Sequence, residues 1–378
     1  MRRFIIVMAW PLLFFLATSS AEALGPTHRT FDGKHAMFDG DIPYWAQKDY
    51  VDRTLQRLKD AGFNVYMPLL WEGRGTAWPS MFAPWDPHIG DRPQADFDPF
   101  KYVVDKAHAM GFEVHASFTL THREGDLFPE FAEPGTPADA FDVHHEGFRR
   151  LLVNLIVEVI ERYDVDGINL DYVRAIGLCT SVRCREEYRR LYNRDLDFDT
   201  TLFKLTFGKS PTSLAEYQEQ AVTAMVKGIC DEVRRRKPGV LISVAAAVGQ
   251  LSADQGQNTV DWSNRGIIDV IFRMDYLRKI DVNLADTIRA ELLNPDALTL
   301  MISNLSTYEE MKPGQKHFSR DGKWLADTLS QIRIKWPHTG TAIYMYKYLT
   351  DEQVTALKTG PYRIRAGSLG APEGVTVR

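Results

Sequence analysis

The feature of this sequence that most constrains its fold is a repeated alternation of amphipathic helical segments with short apolar runs. Val51, Leu55 and Leu58 recur at helical spacing, and the run FNVYMPLLW follows them as a candidate buried strand. The same unit recurs where DPFKYVVDKAHAMG precedes FEVHASFTL and where EGFRRLLVNLIVEVIERYD precedes VDGINLDYVR. Repeated helix-strand units predict an α/β fold with a parallel sheet.

The alternation continues to the end of the chain. Helices are expected over Ser213–Arg236, Leu284–Leu293 and Leu325–Ile334, and strands in VLISVAAAV, IIDVIFRMDY, LTLMIS and GTAIYMYKYL. Thr350 and Gln353 form a capping-box pattern for a terminal helix. With KHAMFD near the start, the strand count suits a single-domain (β/α)8 TIM barrel. An open doubly wound sheet is the alternative, but no G-x-G-x-x-G or Walker A turn follows a strand.

The weakest parts of this prediction are the first strand and one connection. KHAMFD is short, and ADQGQNTVDWSNRG between the fifth and sixth strands is too polar to predict a helix.

The amino terminus predicts export. Arg2 and Arg3 precede an apolar run over residues 4–17, and Ala21-Glu22-Ala23 matches an A-x-A cleavage site. A membrane anchor is the alternative, but Pro11 interrupts the run and a span needs about 20 apolar residues. We therefore expect a signal peptide over residues 1–23, a catalytic barrel over 24–378, no membrane insertion after cleavage, and a secreted or periplasmic protein.

Composition narrows the partners and cofactors. The chain has a net charge of -5 and contains no block of basic residues, so we do not expect nucleic acid as a partner. No metal-ligand spacing is present, and no metal or other cofactor is expected. Among three cysteines, Cys179 and Cys184 lie close enough for a local disulfide in an exported protein, while three reduced cysteines remain the alternative.

Asp171 is the first candidate catalytic residue. It lies at the end of the predicted strand GINLD, where the active sites of TIM barrels assemble. Strand alternation places Asn169 and Asp171 on one face, so this polar pair is expected to line the barrel mouth. A buried, hydrogen-bonded structural aspartate is the alternative.

Several of these segments together resemble a known family. YDVDGINLDYVR, DPFKYVVDKAHAMGFEVHA, AWPS and GTAIYMYKYLTDEQVTALKTGPY are similar to the bacterial glycosyl-hydrolase-like family ten, over roughly residues 35–362. The resemblance implies an exported TIM barrel of the glycoside hydrolase type, with Asp171 as the family's fourth-strand carboxylate. The chain departs from many members at Ser117 and Thr119, and at Leu69 and Trp71 in the second strand.

The fourth strand also resembles that of chitinases, which carry D-G-x-D-x-D-x-E. Asp166, Gly167 and Asp171 are kept, but Asn169 replaces the middle aspartate and Val173 the catalytic glutamate. The sequence therefore argues against a standard chitinase mechanism, although an amino-sugar site stays open.

Glycoside hydrolysis normally takes two carboxyl groups, so Asp171 needs a partner. Asp275 at the end of the sixth strand and Glu72 in the loop WEGRG are the two candidates. The alternatives are a helix-facing salt bridge for Asp275 and a solvated loop charge for Glu72.

Sugar binding needs flat apolar surfaces with polar groups beside them. The predicted rim offers Trp71, Trp78, Trp85, Tyr172, Tyr276, Tyr346 and Tyr348. His115 is either a core histidine or a proton shuttle. Arg174 is either a salt-bridge partner of Asp171 or a contact for an acidic sugar.

The leading hypothesis is an exported glycoside hydrolase that cleaves a bacterial polysaccharide or oligosaccharide. Amino-sugar polymers such as peptidoglycan glycan, and exopolysaccharides, are the substrates considered. The alternative is a non-catalytic carbohydrate-binding TIM barrel. A polysaccharide deacetylase is disfavoured because the sequence offers no metal-binding Asp/His set.

Overall fold

A computed structural model describes residues 29–89, 97–247 and 255–363 of the chain. Eight parallel strands follow one another in chain order and close into a barrel, which confirms the predicted (β/α)8 fold. The strands are β1 His35–Asp39, β2 Val65–Trp71, β3 Glu113–Thr119, β4 Gly167–Asp171, β5 Leu241–Ala246, β6 Val270–Asp275, β7 Leu298–Ser303 and β8 Thr341–Tyr344. The expected signal peptide lies outside the described residues.

Helices cover the outside of the barrel. They are α1 Ile42–Trp45, α2 Lys48–Ala61, α3 Pro99–Ala109, α4 Glu146–Arg162, α5 Val182–Tyr192, α6 Lys204–Phe207, α7 Thr212–Arg236, α8 Thr259–Asn264, α9 Val282–Glu291, α10 Gly322–Lys335 and α11 Asp351–Thr359. Within the described ranges, none of them combines the length and apolar character needed to cross a membrane.

Local signals explain where several helices begin. The Asp98 side chain accepts a hydrogen bond from the Lys101 backbone N–H at the start of α3. Thr350 and Gln353 form the predicted capping box at the start of α11. The connection between β5 and β6 contains the short helix α8, capped by the Asn258 side chain, where the polar sequence had not predicted a helix.

The barrel interior is filled by side chains and is not a channel. Ser117, Asn169 and Ser243 lie side by side on β3, β4 and β5. The Ser117 hydroxyl donates to Asn169 Oδ1 at 3.1 Å, and Asn169 Nδ2 donates to Ser243 Oγ at 3.0 Å. This fully buried polar layer lies one level below the carboxyl ends of the strands. We call the end of the barrel above this layer, where the strands end, the mouth.

The connection from β4 to β5 is the largest departure from the predicted pattern. It holds α5, a π-helix over Phe198–Phe203 and α6 before the expected long helix α7. A disulfide joins Cys179 and Cys184 at the start of this excursion, whereas Cys230 is free and buried. A small second core of Cys179, Cys184, Tyr188, Leu196 and Tyr217 packs beneath it.

Candidate active site

Asp171 ends β4 and shares its face with Asn169, so its carboxyl group points into the mouth. The Tyr172 backbone N–H donates to Asp171 Oδ1 at 2.6 Å. Burial raises the pKa of the Asp171 carboxyl to about 6, against the opposing effects of that N–H and of the Arg174 cation. The charge of Glu72 adds to the rise, which shows that the two carboxyl groups are electrostatically coupled.

A β-bulge brings Glu72 into the same mouth. Leu69 pairs with Ser117, but Trp71 pairs with Phe118, so β2 contains one extra residue between these pairs. The extra residue reverses the alternation, because a shift by one residue turns every later side chain to the other face. Glu72 therefore follows the inward direction of its neighbours on β3 and β4.

The register places Glu72 and Asp171 at the same height. Trp71 pairs with Phe118, which pairs with Leu170, and Thr119 pairs with Asp171. One strand separates the two acidic residues, so their backbones are roughly 10 Å apart, twice the usual spacing between strands. Two carboxyl groups that extend inward from such positions suit a two-carboxylate mechanism.

Arg74 organises the acidic side of the mouth. Its guanidinium lies 2.6 Å from the Glu72 carboxylate, 3.0 Å from Glu124 and 2.8 Å from the fully buried Asp86. Burial raises the pKa of Glu72, whereas Arg74 opposes this rise. The pKa of Glu72 is raised overall, because burial outweighs the ion pair, which by itself stabilises the carboxylate.

The turn between Glu72 and Arg74 requires glycine. Gly73 has a φ of 76°, and a Cβ atom there would lie 1.9 Å from the His122 carbonyl oxygen. This close approach fixes the loop after β2 against the loop after β3, and with it the position of Glu72.

Tyr172 has an unusual backbone for a bulky residue, with a φ of 50°. Its ring lies between the Arg174 guanidinium, 4.6 Å from the ring centre, and the His122 ring, 5.6 Å away. The Thr121 hydroxyl lies 3.0 Å from the Tyr172 carbonyl oxygen and 2.7 Å from that of Arg174. The surrounding contacts thus hold a strained conformation directly beside Asp171, as is common at functional sites.

Stacked aromatic rings line the opposite side of the mouth. Tyr344 at the end of β8 stacks on Phe38 at 5.3 Å and on Tyr276 at 5.2 Å. Both tyrosines interact electrostatically with Asp171, and Tyr344 also with Glu72. The mouth therefore combines two carboxyl groups with flat aromatic surfaces.

Asp275 does not join this cluster. Its carboxylate lies 3.3 Å from the Arg273 guanidinium on the same face of β6 and accepts a hydrogen bond from the Asp281 backbone N–H at 3.0 Å. Alternation turns Tyr276 inward and Asp275 towards the helices, and the side chain is only 2% exposed. The structure therefore favours the salt-bridge alternative for Asp275 and leaves Glu72 as the partner of Asp171.

Two expected substrate contacts have structural positions instead. Asn169 is fully buried, and both ends of its amide are hydrogen-bonded within the barrel. His115 lies near the start of β3, at the end of the barrel opposite the mouth, with Nε2 3.1 Å from the Glu113 carboxylate. Neither residue has the accessible surface that the expectation of a substrate contact requires.

The predicted tryptophan rim is also corrected. The bulge turns Trp71 outward, where it is fully buried and stacks on Phe141 at 6.4 Å. Trp78 is fully buried too, and its indole N–H donates to Glu158 on α4. Trp85 is partly buried against the core. These rings hold the loop after β2 in place and do not form the aromatic lining of the mouth.

Two of the four predicted rim tyrosines lie at the mouth as expected. Tyr172 and Tyr276 reach the mouth, with Arg174 beside Tyr172. Tyr346 and Tyr348 lie in a short 3-10 helix just beyond β8. Because β8 ends at Tyr344, that residue and not Tyr346 supplies the aromatic ring inside the mouth.

Three site residues were missed in the sequence. His122 and Arg74 lie in loops without periodicity, although both loops directly follow predicted strands and are therefore at the mouth. Tyr344 was not predicted because the YMYKY run contains three tyrosines, and only the exact end of β8 shows which of them lies inside the mouth.

The described residues contain one cluster with metal-ligand geometry, formed by Asp142, Cys179 and Cys184. Its two cysteines form the disulfide, so they offer no thiolate to a metal ion.

Sequence comparison finds distant relatives of this chain. The chain is 22% identical over 272 residues to glycosyl hydrolase DigH of Escherichia coli K12, a match that covers 63% of this chain and 52% of DigH. The chain thus matches only about half the length of that protein.

Solved structures show the same architecture. The glycoside hydrolase domain of PgaB (BpsB) from Bordetella bronchiseptica superposes with a TM-score of 0.60 at 11% identity, covering 85% of this chain and 95% of that domain. The catalytic domain of β-amylase from Paenibacillus polymyxa gives a TM-score of 0.58 at 11% identity, covering 88% and 99%. At such low identity these likenesses describe the fold.

Family assignment rests on a broader match. The model of the family described as glycosyl hydrolase-like 10 matches residues 39–132 and 138–324, which include both Glu72 and Asp171. This supports the expectation of a glycosidase drawn from the sequence. The chain belongs to the glycosyl hydrolase-like 10 family.

Proposed function

We propose that this protein is an exported glycoside hydrolase that cleaves a bacterial polysaccharide with Asp171 and Glu72. The observation that carries the proposal is the placement of both carboxyl groups at the same height on either side of β3, facing one mouth. Family membership and the TIM-barrel glycoside hydrolases of similar fold support the reaction class.

We assign different roles to the two carboxyl groups because their environments differ. Burial holds the pKa of Asp171 at about 6, so a large fraction is protonated in mildly acidic solution and can donate a proton to the leaving oxygen. Burial raises the pKa of Glu72 as well, but Arg74, 2.6 Å away, opposes this rise by stabilising the carboxylate, which is the form that a base or a nucleophile needs. We therefore assign the role of proton donor to Asp171 and the role of base or nucleophile to Glu72.

The remaining groups of the mouth bind and orient the sugar. Tyr276 and Tyr344 offer stacked faces for a pyranose ring. The Arg174 guanidinium forms no ion pair with any residue in the described ranges, so its N–H groups are available to substrate hydroxyl or carboxylate oxygens.

A bacterial polysaccharide is the substrate class proposed for this mouth. The fourth strand keeps part of the chitinase pattern in Asp166, Gly167 and Asp171. Chitinase-type barrels also carry an M-x-Y pair in the sixth strand, and Met274 and Tyr276 match it here. The solved domain of similar fold from Bordetella bronchiseptica is itself described as a glycoside hydrolase. Amino-sugar polymers are therefore the first substrates to test, with exopolysaccharides second.

Digestion of a glycan panel tests the proposal. Wild-type protein should release new reducing ends from at least one polymer, and Asp171→Asn and Glu72→Gln should each reduce the rate at least about a hundredfold. Asp126→Asn and Glu130→Gln are matched controls, because both side chains are exposed in the loop after β3. These controls should cleave at the wild-type rate.

Binding separates catalysis from recognition. Asp171→Asn should keep its affinity for the polymer that the wild type cleaves, because the change nearly preserves shape. Equal turnover by Asp171→Asn and wild type would contradict the assigned role. Binding without turnover in the wild type would instead support a carbohydrate-binding barrel.

A further inference from the structure

A second feature of the same face is a groove beside the mouth, which we call the tyrosine groove. It has a volume of about 720 Å³, and its walls include Asp41, Tyr44, Tyr50, Arg53, Tyr346 and Lys347. One wall follows β1 and the other follows β8. Because both segments leave the carboxyl ends of strands, the groove opens on the face that holds the mouth.

Three tyrosines give this groove a flat aromatic surface. Tyr44 is 51% exposed and stacks on Tyr50 with ring centres 5.8 Å apart and an interplanar angle of 27°. Tyr346 meets the Tyr50 ring at 5.8 Å with an interplanar angle of 82°. A half-exposed tyrosine ring backed by a second ring offers solvent a flat, apolar face of the size of a sugar ring.

The buried Asp39 fixes the ring beneath this surface. Its carboxylate accepts a hydrogen bond from the Tyr66 hydroxyl at 2.7 Å and a longer one from the Tyr50 hydroxyl at 3.4 Å. Asp39 follows Phe38 on β1, so it faces the helices and not the mouth. This strand-end carboxylate therefore supports the groove and is not a third catalytic acid.

Polar groups surround the aromatic surface. Lys347 Nζ lies 3.3 Å from Asp41 Oδ1, and Arg57 pairs with Asp351 at the far end. Arg53 is exposed and forms no ion pair within the described ranges. Donors and acceptors beside a flat apolar face are the combination that recognises a carbohydrate.

The groove lies beside the mouth, because its walls follow β1 and β8, the two strands that carry Phe38 and Tyr344. Tyr344 and Phe38 lie at the boundary, stacked at 5.3 Å. Gly40 lies just beyond them, and a Cβ atom there would come within 3.2 Å of the Phe38 ring and 3.7 Å of Met345 Cε. Because Gly40 has no side chain, no further atoms crowd the Phe38 ring and the Met345 side chain at this position.

We propose that the tyrosine groove binds sugar units of the same polysaccharide chain, at a distance from the bond that is cleaved. The inference rests on the proposed function, because it takes the mouth as the site of cleavage. It implies that the enzyme acts on long chains, which span the mouth and the groove together, more efficiently than on short ones.

The test compares long and short substrates. The probes are peptide-free peptidoglycan glycan strands, any other polymer that the wild type cleaves, and a short aryl glycoside of the same sugar. Tyr44→Ala should raise KM and weaken binding for the polymer about threefold to tenfold, the loss expected for one aromatic contact, and leave kcat/KM for the aryl glycoside unchanged. Phe207→Ala is the control, since this exposed aromatic lies on α6, away from both segments that form the groove.

Affinity is also measured in the Asp171→Asn background, so that binding is observed without turnover. Equal polymer affinity with and without the Tyr44 ring, or no polymer binding by the parent Asp171→Asn protein, would overturn the inference. Failure of the proposed function would look different, because the wild type would then cleave neither the polymer nor the aryl glycoside.

Discussion

At the scale of single residues, the buried position of Asp171 lowers the stability of the folded protein at neutral pH. Its folded-state pKa of about 6 exceeds the ordinary value of 3.8, so the folded state binds the proton more tightly than the unfolded state does. Stability is therefore lost as the pH rises from about 4 to about 6, by about 3 kcal/mol at most. Catalytic groups held in unfavourable environments commonly carry such a cost.

Asp171→Asn should remove this penalty. We expect the variant to have a higher free energy of unfolding than wild type at pH 7. The difference should become small near pH 4, where Asp171 is protonated in the folded state and about half protonated in the unfolded state. Urea unfolding at the two pH values measures it. Asp126→Asn, an exposed change, should show no such dependence, and a variant less stable than wild type at pH 7 would contradict the assigned environment.

Arg174 should set the pH range of activity. In the proposed mechanism the active form of Asp171 is protonated, so kcat/KM should fall as the pH rises through about 6. The Arg174 cation stabilises the Asp171 carboxylate and lowers its pKa, so Arg174→Gln should move this limb to higher pH. Arg150→Gln, an exposed change on α4, should leave the profile in place. If kcat/KM of Arg174→Gln falls at the same pH as in the wild type, or at a lower pH, then Arg174 does not lower the pKa of Asp171.

Individual residues also show where sequence reasoning reached its limit. The position of Asp171 was predictable because a strand with clear alternation ends there. The direction of Trp71 and Glu72 was not, because a bulge reverses the alternation. Pro68 in FNVYMPLLW is compatible with a bulge but does not show at which position the extra residue lies. Asn169 and Asp171 share a face as predicted. Asn169 lies deeper in the barrel, where its amide is hydrogen-bonded, whereas Asp171 lies at the end of the strand.

At the scale of elements, periodicity located the strands and most helices well. α3, α4 and α7 were predicted closely because long amphipathic segments leave little choice of structure. α5 and the π-helix over Phe198–Phe203 were not predicted. Their segment is highly charged and packs on its own small core, so it lacks the regular apolar stripe of a barrel helix.

The loop after β4 is the element on which catalysis should depend most. Thr121→Val keeps the shape of the side chain but removes the hydroxyl that reaches the Tyr172 and Arg174 carbonyl oxygens. We expect the strained turn to relax and shift Asp171, with kcat reduced about tenfold or more, while KM changes little. Stability should fall by only about 1 to 2 kcal/mol.

A matched control tests whether the loss is local. Thr287→Val also removes a hydroxyl that bonds a backbone carbonyl, but on α9 at the surface, and should leave kcat unchanged. If Thr121→Val lowers stability and leaves both kcat and its pH profile intact, then the turn does not position Asp171.

At the scale of the whole molecule, export and the disulfide should appear together. Cys179 and Cys184 are bridged in the structure, and such bonds persist in oxidising compartments. If the chain is exported through the signal peptide over residues 1–23, the protein recovered outside the cytoplasm should begin near Leu24. N-terminal sequencing measures this, and a mature protein that retains Met1 would contradict it.

Thiol titration of the same material provides an independent measurement. Under denaturing conditions without reductant, exported protein should show one reactive thiol, that of Cys230, which burial protects in the folded state. The same chain expressed without residues 1–23 in a reducing cytoplasm should show three, because glutathione and thioredoxin keep thiols reduced there. Three thiols in exported protein would mean that the bond does not form in the exported protein.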